Sequence, residues 1–151
     1  VTIRTAVESD LPVLLEMGAR FIQSSRYAEV MAVVPEQQSR LFEALLDQGG
    51  CFVLESAGGI VGMLGLLLGP LPLTGEVAAM ECMWWVEPGF RHQRAALDLW
   101  AFGEDWAASQ GAVSIQMLQP SGQEALGVLY RRRGYVPIET MWHKRLGEAH
   151  T

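Results

Sequence analysis

A chain of 151 residues, half of them hydrophobic and 19% charged, fits one domain with a buried core and excludes the composition of a disordered polymer. Its net charge of −6 at pH 7 argues against a nucleic-acid-binding role, which calls for a basic face. The charge is uneven: residues 1–90 carry four Arg against eleven acids, a net −7, and residues 91–151 carry seven Arg or Lys against six acids, a net +1, a division that suits a cationic acceptor and an anionic cofactor.

In chain order, Val1-Thr2-Ile3-Arg4 lacks the charged-then-apolar run of a secretory signal, so a cytoplasmic location is expected. Thr2 to Thr5 reads as a short strand. Ser9 or Asp10 caps a helix running to about Ser24, with Leu11, Leu14, Leu15, Met17 and Phe21 at helical spacing. Pro35 opens a second helix, striped by Leu41, Leu45 and Leu46 and ended by Gly49-Gly50. Cys51 to Glu55 and Ile60 to Leu68 read as strands joined by a hairpin turn at Ala57-Gly58-Gly59. The most apolar stretch, Gly59 to Leu73, is too short to cross a bilayer and is broken by Gly69, Pro70 and Pro72, so no membrane association is expected. Cys51 and Cys82, both in apolar runs, suit buried free thiols in a reducing compartment.

After a loop from Gly69 to Gly75, Val77 to Val86 is the longest strand, stopped by Glu87-Pro88-Gly89. A helix follows from Arg94 or Ala95 to Ser109 and closes at Gly111. Ser114 to Leu118 alternates as a strand, Gln123 to Arg133 is a helix stopped by Gly134, and Tyr135 to Ile138 and Thr140 to Arg145 read as two closing strands. His92, His143 and His150 are scattered, and no Cys/His cluster has metal-ligand spacing, so no metal is expected. The element order predicts an α/β (α+β) chain with helices on the faces of a mixed sheet.

The junction from Met80 to Trp100 is a strand, a Pro-Gly turn, a basic loop and a helix. A helix start has amides without intrahelical acceptors and the positive end of the dipole, a setting for a diphosphate. Arg91 and Arg94 would add charge-assisted contacts. Physics alone admits both an anion site and a solvated basic loop.

Val86-Glu87-Pro88-Gly89-Phe90-Arg91-His92-Gln93-Arg94-Ala95-Ala96 resembles the GNAT superfamily of N-acetyltransferases. In that family a strand ending in Val-x-Pro precedes a loop of the form (Arg/Gln)-x-x-Gly-x-(Gly/Ala). Arg91 takes the first loop position and Ala96 the last, but Arg94 stands where the family has glycine, which lets backbone approach phosphate closely. Arg94 either reaches the phosphates with its guanidinium or narrows the site. Further on, Gln123-Glu124-Ala125-Leu126-Gly127-Val128-Leu129-Tyr130-Arg131-Arg132-Arg133-Gly134-Tyr135 resembles the family's Asn, helix, aromatic-Tyr-x-x-x-Gly-(Phe/Tyr) segment, with Gln123 at the Asn position and Leu129 before the tyrosine.

The resemblance implies a single domain with a mixed, mostly antiparallel central sheet, helices on both faces, and splayed central strands forming a cofactor cleft. It implies acetyl-CoA as acyl donor, a small-molecule or peptide amine as acceptor, direct attack in a ternary complex, and a homodimer. Backbone groups of Met83, Trp84, Trp85 and Val86 would hold the pantetheine arm, and Arg91, His92, Gln93, Arg94, Ala95, Ala96 and Gln123 complete the cofactor-binding set. Tyr130 is the expected proton donor to the leaving thiolate, against the alternative of a ring packed on its helix with one hydrogen bond. Glu81 is the candidate base: a carboxylate in an apolar strand is costly and has a raised pKa. It competes with an exposed charge, a structural partner for an Arg, and His92 as base. Arg131-Arg132-Arg133 suits a solvated helix C-terminus or a 3′-phosphate contact. Trp84 and Trp85 point to opposite sheet faces, so at most one lines the cleft. The rival readings are a catalytically degenerate binding or structural subunit of the same fold, favoured by Arg94 and Gln123, and a nucleotide-sensing domain.

Overall fold

In the computed structural model, which describes residues 1–148, five strands lie side by side in chain order: β1 (Thr2–Thr5), β2 (Cys51–Ser56), β3 (Gly59–Pro70), β4 (Val77–Val86) and β5 (Ser114–Gln116). The first four pair antiparallel: short turns join β2 to β3 and β3 to β4, and β1 returns beside β2 through the α1–α3 segment. The β2–β3 hairpin closes through Ala57 and Gly58, and Gly59 leaves it at φ 122°, a conformation that favours glycine. β5 is parallel to β4, which demands a crossover, and α4 (Arg94–Ser109) supplies it. The remaining helices are α1 (Leu11–Ser24), α2 (Tyr27–Val30), α3 (Pro35–Gln48) and α5 (Glu124–Arg132).

Alternation along the strands feeds two apolar layers. Cys51, Val53, Met63, Met83 and Trp85 face Leu14 and Met17 of α1 and Phe42 and Leu45 of α3. Phe52, Leu54, Leu64, Leu66, Ala79 and Val86 face Ala96, Leu99 and Ala107 of α4. A sheet covered on both sides explains why β2 and β3 read as nearly continuous apolar runs. The open, mostly antiparallel mixed sheet with helices on both faces is the predicted architecture. Cys51 is buried, Cys82 half-buried, and both thiols are free.

Asp10 stands at the N-cap of α1 but, contrary to expectation, does not cap it with its side chain: the carboxylate reaches back to accept the Val7 amide at 2.8 Å and two bonds from the Arg4 guanidinium at 2.8 and 3.0 Å. Arg4 holds that carboxyl below its ordinary pKa. Gly49 ends α3 in the left-handed region at φ 73°, and the next residue, Gly50, accepts the Leu66 amide at 2.7 Å.

Three further expectations need correction. The connection after α1 contains a four-residue helix, α2, too short to show a period in sequence. β5 ends at Gln116 instead of Leu118. The closing strands expected at Tyr135–Ile138 and Thr140–Arg145 do not form, and this segment is an exposed arm. A ladder needs a template, and β5 pairs over only three residues before the Leu118 amide and carbonyl are engaged by side chains. His150 lies outside the described residues. Among those described, no helix is long and apolar enough to cross a membrane.

Candidate active site

The parallel pair β4–β5 is short. It runs from Ala78 opposite Ser114 to Met80 opposite Gln116 and then stops, so Glu81 to Val86 have no strand on that side. On the other side, Gly65 pairs with Met83 and Leu66 with Glu81, leaving Cys82 as an extra residue. This bulge turns both Cys82 and Met83 toward the α1/α3 layer, so Glu81 and Trp84 face α4 while Met83 and Trp85 face away from it. The two tryptophans thus point to opposite faces, as predicted. Their indole Nε1 groups are both buried without a hydrogen-bond partner among the described residues.

At the fork, two side chains grip one residue. Glu81 Oε1 accepts the Leu118 amide at 3.0 Å, and Tyr130 Oη donates to the Leu118 carbonyl at 2.8 Å. Glu81 is 9% exposed and Tyr130 7%. Burial pushes the Glu81 carboxyl up to about 7, only partly opposed by the Leu118 amide. Burial raises the Tyr130 phenol well above its ordinary value, with the nearby Glu81 charge acting in the same direction, so the phenol keeps its proton at neutral pH. The carboxylate is therefore neither on an open strand face nor paired with an Arg. The Tyr130 ring packs edge-on to Trp100 at 5.3 Å between centroids and against Tyr135 at 5.5 Å. Trp100 Nε1 donates to Tyr135 Oη at 3.0 Å, and the Arg133 guanidinium covers the Trp100 indole. This aromatic group fixes where the Tyr130 hydroxyl sits.

Beyond β4, Pro88–Phe90 forms a single 3₁₀ turn and Gln93 stands at the N-cap of α4 without capping it by its side chain. The opening amides of α4, at Arg94 and Ala95, lie too early for intrahelical acceptors. Arg94 points outward: its side chain is 91% exposed and its nearest partner is Asp98 at 3.7 Å. Arg91 instead folds back onto β4, donating from Nε to the Val86 carbonyl at 2.7 Å with its guanidinium 4.5 Å above the Trp85 ring. His92 and Gln93 are exposed, Ala95 is half-buried, and Ala96 is buried in the α4 layer. Gln123 stands at the N-cap of α5, its carbonyl accepting from Gln119 Nε2 at 3.0 Å.

Glu81 and Tyr130 are thus brought together, while the Arg91–Ala96 segment forms the start of α4 and Gln123 that of α5. Leu118 and Gln119 escape a motif-based reading: one contributes only backbone, and the other is a polar residue in a loop. Gln119 lies so close over Gly127 that a Cβ there would come within 2.7 Å of its Oε1.

A mixed sheet parted at its one parallel pair, with a helix start beyond the fork, is the fold of the GNAT acetyltransferases. The family model for the acetyltransferase (GNAT) family matches residues 19–135, and the chain belongs to that family. Solved structures agree in fold. A ribosomal-protein-alanine N-acetyltransferase from Brucella melitensis superposes with a TM-score of 0.71 at 18% identity, covering 97% of this chain and 100% of that one. An aminoglycoside antibiotic 6′-N-acetyltransferase from Acinetobacter haemolyticus does so at 0.72 and 15%, covering 99% and 100%. A predicted acetyltransferase from Clostridium acetobutylicum, solved with acetyl-CoA, reaches 0.76 at 14%, covering 95% of each chain. No curated protein matches the chain.

Proposed function

We propose that the protein transfers an acetyl or related acyl group from acetyl-CoA to a primary amine by direct attack in a ternary complex. The observation that carries this reading is the fork after Met80, where a buried carboxyl and a buried phenol meet at Leu118. The residues present fit the donor. β4 from Glu81 to Trp85 offers extended backbone groups with no strand partner on the β5 side. These are the groups that the amides of a pantetheine arm satisfy. Arg94 standing outward leaves the opening amides of α4 uncovered for a diphosphate.

When bound, the donor supplies the acyl group and a thiolate leaving group. Backbone groups of Met83, Trp84, Trp85 and Val86 orient the arm and polarise the reacting carbonyl. The start of α4, with His92, Gln93, Arg94, Ala95 and Ala96, would hold the phosphates, Arg91 would join them by leaving the Val86 carbonyl, and Gln123 at the α5 N-cap would complete the set. Glu81 accepts the proton that the attacking amine must shed, and a carboxyl poised near 7 suits that exchange at neutral pH. Tyr130 supplies a proton from Oη to the departing sulphur.

The acceptor is a small-molecule or peptide amine. Similar folds carry names of both kinds, one acting on a ribosomal-protein alanine and another on aminoglycosides. The net −7 of residues 1–90 favours a cationic acceptor. The working unit is a cytoplasmic homodimer.

Titration calorimetry with acetyl-CoA, followed by free-thiol detection over a panel of amines, tests the reading. Micromolar binding with amine-dependent thiol release supports the transferase. Absence of heat overturns it in favour of a catalytically silent subunit of the same fold.

A further inference from the structure

Arg94 points outward, but Arg91 turns in, and the group it holds belongs to the open side of β4. The Glu87 amide donates to the Val61 carbonyl at 2.8 Å, toward β3. Across a trans peptide the carbonyl points the other way, so the Val86 carbonyl faces the side where β5 has already stopped. The Pro88–Phe90 turn then brings the chain round, and Arg91 closes back on that carbonyl, Nε donating at 2.7 Å. Val86 is the last residue of the strand, so one side chain takes the final acceptor that β4 could offer to an arm lying along it.

What Arg91 lacks is a counter-ion. Its guanidinium lies 4.5 Å over the Trp85 ring, but among the described residues no carboxylate comes within ion-pair distance of it. The nearest acid along the chain, Glu87, is bound to Arg20 instead. A neutral carbonyl and an aromatic face place a cation without neutralising it, whereas a phosphate does both. The uncovered amides at Arg94 and Ala95 begin a short step further along the chain. An anion of high charge seated there competes for the guanidinium, and a neutral ligand does not.

We propose that Arg91 sets the class of donor by holding the Val86 carbonyl until a diphosphate at the start of α4 takes its guanidinium. The arm then gains its full run of backbone partners only when it arrives joined to a diphosphate. This rests on the acetyl-CoA reading above and narrows it to thioesters of free coenzyme A. A thioester on bare pantetheine has to break the Arg91 contact while offering the guanidinium no replacement. A pantetheine tethered to a carrier protein by a single phosphodiester offers less charge than a diphosphate does, and is disfavoured for the same reason. Arg91 is therefore a specificity residue that acts before any chemistry begins.

Nuclear magnetic resonance on the full chain reads the contact directly. The Arg91 Nε–H resonance, identified by its loss in Arg91→Lys, is expected to be shielded from solvent exchange in the free protein. Adenosine 3′-phosphate 5′-diphosphate, the nucleotide half of coenzyme A, is expected to shift it, and pantetheine to leave it in place. Pantetheine is expected to bind the wild-type chain at least about tenfold more tightly when the nucleotide half is present, and Arg91→Ala to erase that difference. Arg91 is exposed, so the variant is expected to keep the wild-type far-ultraviolet circular dichroism spectrum. A freely exchanging Arg91 Nε–H overturns the proposal, as does one that pantetheine alone displaces or that the nucleotide half leaves in place. So does a pantetheine affinity indifferent to the nucleotide half in the wild-type chain, and so does coupling that survives in Arg91→Ala. If coenzyme A itself leaves the wild-type spectrum unchanged, the donor reading fails; if coenzyme A binds and these results are reversed, only the role of Arg91 fails.

Discussion

Ionising Glu81 costs the fold free energy, because the carboxylate loses water and gains only the Leu118 amide. Its folded pKa of about 7 lies above the ordinary carboxyl value of 4.5. In the window between these values the unfolded chain has released the proton while the folded chain still holds it. Stability from this group is therefore complete below 4.5, falls as pH rises to about 7, and is flat above. At about 1.4 kcal/mol per pH unit the loss is roughly 3 kcal/mol. Urea unfolding at pH 4.5 and pH 8 is expected to show this fall in the wild-type chain, relative to Glu81→Gln, which cannot ionise. A parallel pair of curves would place the Glu81 carboxyl in water. In the proposed reaction the same substitution abolishes the limb of kcat/KM that rises toward pH 7. Tyr130→Phe removes one buried donor, about 1 kcal/mol of stability, and is expected to lower turnover at least tenfold with little change in acetyl-CoA affinity. An unchanged rate would take the proton-donor role from Tyr130. The cost of Glu81 is readable from its apolar neighbours in sequence, whereas its partner is not: Leu118 lies 37 residues away and contributes only backbone.

Among the elements, the junction of α3 with β2 is the tightest. A Cβ built on Gly50 would stand 2.1 Å from the Leu66 carbonyl and 3.0 Å from the Trp106 ring. Neither the backbone of β3 nor a packed indole can yield without breaking the Leu66-to-Gly50 hydrogen bond. Gly50→Ala is expected to cost more than about 2 kcal/mol, seen as a lower urea midpoint at unchanged slope; a shift within error would mean that β3 adapts. The elements legible in sequence are those whose cues are local. Pro35 and Gly49 bracket α3, the Ala57-Gly58 turn sets the β2–β3 hairpin, and the Pro-Gly stop after Val86 ends β4. The arm misleads for the opposite reason. Tyr135–Ile138 has strand composition, but strand composition describes a surface that fits a sheet, and the segment pairs with neither free edge of the sheet. The site divides the same way: both helix starts are visible as motifs, while the parting of β4 from β5 and the inward fold of Arg91 depend on packing.

For the molecule as a whole, the central strands belong to both layers. Met63 and Leu64 are neighbours in β3, one packed beneath α1 and α3 and the other beneath α4. Neither layer can loosen without disturbing the strand the other depends on, so one cooperative transition is expected. Far-ultraviolet circular dichroism and tryptophan fluorescence, to which Trp85 of one layer and Trp84, Trp100 and Trp106 on the α4 side contribute, should give coincident urea midpoints; separated midpoints would mean the layers unfold independently. The extra residue in β4 has a related consequence. Because Cys82 and Met83 both turn toward α1 and α3, excising Cys82 would restore regular alternation while leaving every later side chain in its present layer. Position 82 is thus supernumerary to the ladder. A chain lacking it should fold and melt much as before with Met83 to Val86 still paired to the same residues of β3, yet lose the local bend that sits beside Glu81 at the fork. Thiol release measured on such a deletion would reveal whether that one surplus residue exists for the chemistry.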